Sequence, residues 1–294
     1  SIWTSINNVT DTNYTLTNIH HTSIYNVRVK AVCDQNTQSD DYSNVITINT
    51  ACGAYDPLTL STTFATMLPN SCWEKKVGLL TNSCTPTTTT GGWIASTVLP
   101  GYAKATMYRN NKSWLITPAL DLGQGNIFYQ LEFDAALTTF ASNAAPNRSN
   151  FDDKFILAIS NDNGETWSSS NVCRMYDQNG NPLTLNTLNP TPTHVFVKLV
   201  YDNGTPFTGN VKLGFYVEST IANAVNDLHI NNISFSTYCP EPTAISTLPY
   251  TDRVNVSWTG NTNKNNLEVK LNDGTPIAIN NVNNYTFNNL SQSN

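Results

Sequence analysis

The segment from Phe151 to Trp167, FDDKFILAISNDNGETW, restricts the fold more than any other part of the chain. DKFILAIS reads as a strand, and Asp162–Asn163–Gly164 as a tight turn, because glycine takes positive φ without a steric penalty. Two adjacent carboxylates, Asp152 and Asp153, precede the strand, and Trp167 lands after the turn. Similar strands recur on both sides. In NIFYQLEFDAAL, Ile127, Tyr129, Leu131 and Phe133 fall on one face at period two; HVFVKLVY, VKLGFYVEST and DLHINNISFS follow. No helical periodicity competes with them. Strands broken by turns, without repeats or helices, predict an all-β chain folded as a sandwich or jelly roll.

Composition narrows what such a chain does. Charged residues make up 12% of the chain, against about 25% in ordinary domains. Thr, Asn and Ser fill the difference, and they favour turns and strands over helix interiors. A net charge of −6 offers nothing to neutralise phosphates, which excludes nucleic acid as a partner. No stretch is apolar for the roughly 18 residues a membrane helix needs, so no transmembrane segment is expected. SIWTSINN lacks the basic and apolar regions of a signal peptide, so either the signal was removed or the chain is a piece of a larger protein.

The six cysteines, Cys33, Cys52, Cys72, Cys84, Cys173 and Cys239, form no C-x-x-C pair and have no histidine at zinc-finger spacing. Widely spaced and even in number, they point to disulfides and an oxidising compartment; the competing reading is buried free thiols.

Three segments differ in texture. Residues 1–52 alternate: TNYTLTNI places Tyr14, Leu16 and Ile19 inward, IYNVRVKAV does the same for Tyr25, Val27, Val29 and Ala31, and YSNVITINT is a third strand. CGAYDPL is a linker, and residues 53–238 are strands and loops. In that middle region CTPTTTTGGW and Phe140–Asn150 read as loops, and SCWEKKVGLL as a first strand. Residues 239–294 open on CPEPTAI and continue with RVNVSW, NLEVKL, PIAI and NYTFNNL, where Val254, Val256 and Trp258 alternate.

YTLTNI…TSIYNVRVKAVC…YSNVITINTAC resembles the second half of a fibronectin type III domain, with Tyr25 at that family's tyrosine corner. In bacterial versions a cysteine after the penultimate strand pairs with one past the last, and Cys33 and Cys52 match those places. Residues 239–294 resemble the first half of another such domain. The resemblance implies that the chain begins and ends inside domains of a tandem array.

SNDNGETW fits S-x-D-x-G-x-T-W and so resembles the Asp-box of sialidases, a structural turn that repeats around their propellers. Here it occurs once. The arginine cluster of those enzymes has no counterpart, since Arg28, Arg109, Arg148, Arg174 and Arg253 are scattered. A structural hairpin is the better reading.

A further resemblance covers about Tyr55 to Ser236. CW, WLITPALDL, the acidic pair before a strand ending in SNDNGETW, and DLHINNISF occur in the order found in cleaved-adhesin or MAM-like jelly-roll domains. Such domains occur in gingipain adhesin regions and in surface proteins of bacteria that use type IX secretion. The resemblance implies an all-β jelly-roll β-sandwich between two incomplete fibronectin type III-like sandwiches. It also implies adhesion at the cell surface and a structural calcium. Asp152 and Asp153 fall on the family's acidic position, whereas its closing I-D-D-I reads Ile230-Asn231-Asn232-Ile233 here. Amide oxygens still ligate Ca²⁺, with fewer charges and lower affinity, and Asp227 compensates. The expected metal ligands are thus Asp152, Asp153, Asp227 and Asn231.

Cys72, Cys84, Cys173 and Cys239 allow three pairings. Cys72–Cys239 with Cys84–Cys173 would tie the sandwich ends together, and Cys72–Cys84 is the alternative. His194 and His229 lie on strands with no serine or cysteine motif beside them, and no G-x-S-x-G, H-E-x-x-H or phosphate loop occurs. No catalytic constellation is therefore expected. Trp93, Tyr102, Tyr108 and Trp114 are candidates for a sugar-stacking platform or for core.

The chain reads as a non-enzymatic adhesion module of a large cell-surface or secreted bacterial protein exported by type IX machinery. Its expected partner is a host or environmental surface presenting a glycan or protein ligand. The alternative is a non-catalytic, carbohydrate-binding accessory region of a secreted peptidase or glycosidase.

Overall fold

The computed structural model describes residues 3–7, 9–33, 37–39, 41–65, 67, 72–149, 151–220, 224–259, 267–280 and 282–290. The chain forms two compact units, Ser1–Gly53 and Ala54–Asn294.

In the first unit, β1 (Ile24–Val27) pairs antiparallel with β2 (Ile46–Asn49). The Tyr25 hydroxyl accepts a hydrogen bond from the His20 amide at 2.8 Å, the backbone return expected of a tyrosine corner. Tyr25 and Val27 are half-buried, but Tyr14 is 55% and Val29 69% exposed, which corrects their inward assignment. A two-stranded sheet has one layer, and among the described residues of this unit no second sheet covers it. Arg28 instead stacks at 4.1 Å from each of the Trp3 and Tyr42 rings.

The second unit holds the strands β3 (Glu74–Val77), β4 (Thr87–Thr88), β5 (Trp93–Ala95), β6 (Ala103–Met107) and β7 (Lys112–Ile116). They continue with β8 (Leu120–Asp121), β9 (Tyr129–Thr139), β10 (Lys154–Ser160), β11 (Val172–Cys173) and β12 (Tyr176–Asp177). The last strands of this part are β13 (Thr193–Lys198), β14 (Asn210–Glu218) and β15 (Asn226–Thr237). They form two antiparallel sheets. One runs β11-β10-β14-β7-β3-β4 with β8 beside β14; the other runs β12-β13-β9-β15-β6-β5. Each sheet draws its strands from both ends of the stretch from Glu74 to Thr237. No α-helix occurs among the described residues, so none is long and apolar enough to cross a membrane.

Period two decides what lies between the sheets. Leu157, Ile159, Leu213, Phe215 and Val217 point inward from the first, and Leu131, Phe133, Val195, Val197 and Leu228 from the second, in one apolar core. At its centre the Phe133 ring stands edge-on to Phe215 at 5.3 Å and to Phe155 at 6.2 Å. Ile127, expected on the same face as Tyr129, Leu131 and Phe133, precedes β9 and is exposed. The threonine run expected to be a loop contributes the short strand β4, which pairs with β3.

A smaller cluster covers the other face of the first sheet. Trp114, Ile116, Ala158, Trp167, Tyr216 and Leu80 are buried there together. Cys84 packs against this cluster, while Cys173 belongs to the core between the sheets. Their sulfurs are therefore on opposite sides of one sheet, and both are thiols. Cys33 is also a thiol, and Cys239 takes no part in a disulfide; the disulfide-bonded cysteines are Cys52 and Cys72. The expected pairings Cys33–Cys52, Cys72–Cys239, Cys84–Cys173 and Cys72–Cys84 are all corrected by this arrangement.

The remaining strands are β16 (Thr243–Pro249), β17 (Val254–Thr259), β18 (Leu267–Val269), β19 (Ile277–Ile279) and β20 (Asn284–Phe287). β16-β17-β20 and β18-β19 form two further sheets, with Trp258, Leu267 and Ile279 buried together. The buried tryptophan and the four short strands lie where the alternation placed them.

Gly214 exposes the tightness of the tryptophan cluster. A Cβ there would lie 2.8 Å from the Trp167 ring and 2.9 Å from Trp114. Gly214→Ala is expected to lower unfolding stability by roughly 1–3 kcal/mol through overpacking, measured by urea denaturation followed through tryptophan fluorescence. An unchanged midpoint would show that the rings are free to move aside.

Candidate functional site

The hairpin after β10 holds itself together through one carboxylate. Ser160 Oγ donates to Asp162 Oδ1 at 2.6 Å, the Thr166 amide donates to the same carboxylate at 3.0 and 3.1 Å, and the Thr166 hydroxyl adds a further bond. Gly164, at φ 84°, returns its amide to Ser160 Oγ, and Trp167 Nε1 donates to the Gly164 carbonyl at 3.2 Å. A cavity of about 210 Å³ beside it is lined by Ser160, Asp162, Thr166 and Trp167 together with Asn82 and Ser83, among others. Asp162 is thus committed to the turn. Burial opposes its ionisation, but the hydrogen bonds from Ser160 and Thr166 outweigh it and bring its pKa to about 2. The folded-state value is depressed, so its stabilisation is present above the unfolded value near 3.8 and is lost as pH falls toward 2. Asp162→Asn should therefore flatten the loss of stability between pH 4 and pH 2, read from thermal melts across that range. A variant that loses stability in parallel with the parent would remove Asp162 from the acid transition.

Asp152 and Asp153 lie at the start of β10, opposite the end of β14. Asp152 Oδ2 accepts from the Thr220 amide at 2.8 Å and from its hydroxyl, and Asp152 Oδ1 from Ser219 Oγ at 3.3 Å. Asp153 is buried. Its Oδ2 accepts from Asn226 Nδ2 at 3.2 Å, while its Oδ1 is buried without a hydrogen-bond partner among the described residues. Burial raises the pKa of Asp153 against the hydrogen bonds of Ser219 and Asn226, and the Asp152 charge adds to the rise. An orphaned buried carboxylate oxygen beside a second carboxylate offers charge to a hard cation, and among the described residues no group of three His, Cys, Asp or Glu side chains gathers to hold a metal ion.

The other two expected metal ligands are engaged elsewhere. Asp227, on β15, is completely buried and accepts from Lys104 Nζ at 2.7 Å, Thr106 Oγ1 at 2.6 Å and the Ala141 amide at 3.0 Å. Asn231 Oδ1 accepts from the Phe64 amide at 3.1 Å. Asn226, one residue before Asp227, is a β15 side chain that reaches the acidic pair.

The outward face of the second sheet carries a different group. Glu132 and Asp134 of β9 lie opposite Phe196 and His194 of β13. His194 Nδ1 is 2.8 Å from Asp134 Oδ1 and its Nε2 3.4 Å from Glu132 Oε2. Asn232 donates to Asp134 Oδ2 at 2.6 Å, and Ser236 and Gln130 donate to Glu132 Oε1 at 2.5 and 3.3 Å. Asn232, at φ 51°, stands at the bulge where β15 shifts register against β9. Phe196 packs edge-on to His194 at 4.7 Å, with Tyr176 of β12 across from Phe196. All of this rests on half-exposed or exposed side chains of paired strands, a platform with acceptors, donors and ring surface.

Burial lowers the pKa of His194, but Asp134 and then Glu132 outweigh it, so the net shift is upward from 6.5. For Glu132, burial is likewise overcome by Ser236, Gln130 and His194, and its carboxyl sits below the usual range. Further along the same face the surface closes. His229 is fully buried with Nε2 3.0 Å from Thr138 Oγ1, and burial takes its pKa down to about 4. Phe140 lies over Lys104 at 5.6 Å.

In the sequence, His194 lies on a strand with no serine or cysteine motif beside it. The available signal was the polar half of the β9 alternation: Glu132 and Asp134, two apart, must share a face. The strand that would lie beside them was not readable. Trp93 and Trp114, offered as sugar-stacking candidates, are both completely buried, so core is their role. Tyr102 is half-buried and Tyr108 is 37% exposed.

No protein-family model and no curated protein matches the chain. Among solved structures, the K1 cleaved-adhesin domain of Lys-gingipain from Porphyromonas gingivalis W83 is similar at 16% identity and TM-score 0.33, covering 61% of this chain and 98% of that one. The adhesin domain of Epf from Streptococcus pyogenes is similar at 10% identity and TM-score 0.37, covering 77% and 85%. The family 11 carbohydrate-binding module of the cellulosomal cellulase Lic26A-Cel5E of Clostridium thermocellum is similar at 9% identity and TM-score 0.30, covering 62% and 96%. A match to the enzymatically active domain of bacteriophage CBA120 tailspike protein 4 spans 20% of that chain. These are distant likenesses to β-sandwich adhesin and carbohydrate-binding domains.

Proposed function

We propose that the chain is a non-catalytic adhesion module, a jelly roll with fibronectin type III-like flanks, from a large bacterial surface or secreted protein exported by type IX secretion. In this reading it lies outside the cell or attached to the outer membrane and holds a glycan or protein on a host or environmental surface. The ordered motifs from Trp73 to Phe235 support the assignment. The observation that carries the binding role is the platform of Glu132, Asp134, His194, Asn232 and Phe196 on the second sheet. Carboxylate and amide groups there accept and donate hydrogen bonds to hydroxyls, and the half-exposed rings offer apolar surface beside them. The accessory carbohydrate-binding region of a secreted peptidase or glycosidase uses the same platform; a catalytic domain elsewhere in the full-length protein would favour it.

A broad glycan array, with immobilised host-surface proteins beside it, tests the platform. Asp134→Ala with His194→Ala should remove binding while leaving the melting temperature within a few degrees, since both side chains lie outside the core. Binding that survives the double substitution would place the ligand elsewhere. The upward shift of His194 means that stabilisation by its two carboxylates is complete below 6.5 and is lost as pH rises through the folded-state pKa.

Calcium belongs to the same reading. Asp152 and Asp153 would hold it, its charge relieving the unpartnered Oδ1 of Asp153. A Ca²⁺ concentration of 100 times Kd would stabilise the fold by about 2.7 kcal/mol, seen as a rise in melting temperature that EGTA reverses and Asp153→Asn abolishes. Identical melts with Ca²⁺ and with EGTA would retire the site.

A further inference from the structure

A second cavity, of about 410 Å³, lies away from the platform and is lined by Asp56, Asp121, Gln124, Asn126, Ile127 and Tyr129 among others. Its acidic side is built by the backbone. Tyr55 forms a parallel bridge with Leu120, its amide donating to Ala119 O at 2.8 Å and its carbonyl accepting from the Asp121 amide at 2.9 Å. That bridge sets Asp56 and Asp121 next to each other. Each carboxylate spends one oxygen on its own turn: Asp56 Oδ1 accepts from the Leu58 amide at 3.0 Å and Asp121 Oδ1 from the Gly123 amide at 2.9 Å. Neither has a basic partner among the described residues, which leaves two uncompensated negative charges at the cavity wall.

Tyr129 adds an independent observation. It is 7% exposed, lines the cavity, and its hydroxyl makes no hydrogen bond to any described residue. Burial raises its pKa first, and the charges of Asp56 and Asp121 raise it further, so the phenol stays neutral with its oxygen available as an acceptor. Ile127, 44% exposed, gives the cavity an apolar wall.

We propose that this cavity binds a primary ammonium on an alkyl stem, the side chain of a lysine on a protein partner. Two carboxylates and a phenol oxygen match the three N–H donors of an ammonium. The methylene stem lies along Ile127, as lysine stems do on apolar surface. A divalent metal is the weaker occupant: among the described residues no group of three His, Cys, Asp or Glu side chains converges to hold one. A guanidinium takes both oxygens of one carboxylate in a planar fork, and Asp56 and Asp121 each spend one oxygen on a backbone amide. The cavity is separate from the platform and stands or falls independently of it.

The test is an NMR titration of the intact 294-residue chain with Nα-acetyl-lysine amide, the norleucine analogue, glucosamine and CaCl₂ as separate arms. The lysine compound should give saturable shifts at the amides of Gly123, Gly125 and Ile127, and the norleucine analogue none. Asp121→Asn keeps the acceptor of the Gly123 turn but removes the charge, and should weaken binding at least about tenfold. Tyr129→Phe should weaken it less, and raising salt should weaken it for the parent chain. Melting curves confirm that both variants are folded. No saturable shift, or equal shifts from norleucine, would overturn the proposal. Tighter binding of glucosamine would overturn the protein partner, and Ca²⁺ shifting the same amides at lower concentration would overturn the amine.

Discussion

The edge-on packing of Phe133 between Phe155 and Phe215 joins the two sheets of the second unit, and the positions of all outward groups follow from it. Side chains alternate strictly along a strand, so seating Phe133, Leu131 and Leu137 in the core leaves Glu132, Asp134, Ala136 and Thr138 facing away from it. A one-residue slip would bury carboxylates and expose rings, at a cost of many kcal/mol. The apolar core therefore sets the register of the polar face with no help from polar contacts.

That polar face is divided along its length. At one end Lys104, Asp227, Thr138 and His229 are buried, and the hydrogen bonds to Asp227 come from two different segments, β6 and the turn at Ala141. A buried ion pair of this kind adds little net stability, because desolvation offsets attraction, yet losing one partner leaves an uncompensated charge. Its effect is to hold the residues around Ala141 against the sheet. At the other end the groups around His194 stay partly exposed, and the imidazole sits between two carboxylates that are themselves held from the side. One end is fastened shut by its charges, while the other presents them.

On the opposite side of the sandwich, the motif that resembles one of an enzyme family is spent on its own turn. Every hydrogen-bonding group of Asp162 is turned inward on its own hairpin, and the product of that turn is the position of Trp167. Trp167 then covers Trp114 and Tyr216 on the outer face of the first sheet, with Gly214 leaving the room for it. Local turn chemistry is here converted into a second, smaller core.

What could be read from the residues alone was whatever depends on neighbours along the chain. The strands, the self-contained turn at Asp162–Gly164 and the tyrosine return at Tyr25 are set by period-two alternation and by hydrogen bonds spanning five residues or fewer. What depends on strands far apart could not be read. His194 gained its partners from β9, 60 and 62 residues away; Asp227 was claimed by Lys104 at a separation of 123 residues. Cys84 and Cys173 were separated by a sheet whose two faces the alternation alone did not assign to them. The sequence by itself determined that this chain forms strands and that, along β9, Tyr129, Leu131 and Phe133 share a face. Only the tertiary structure decided which strands lie side by side, because pairing is a choice among long-range partners made by the packing of the core.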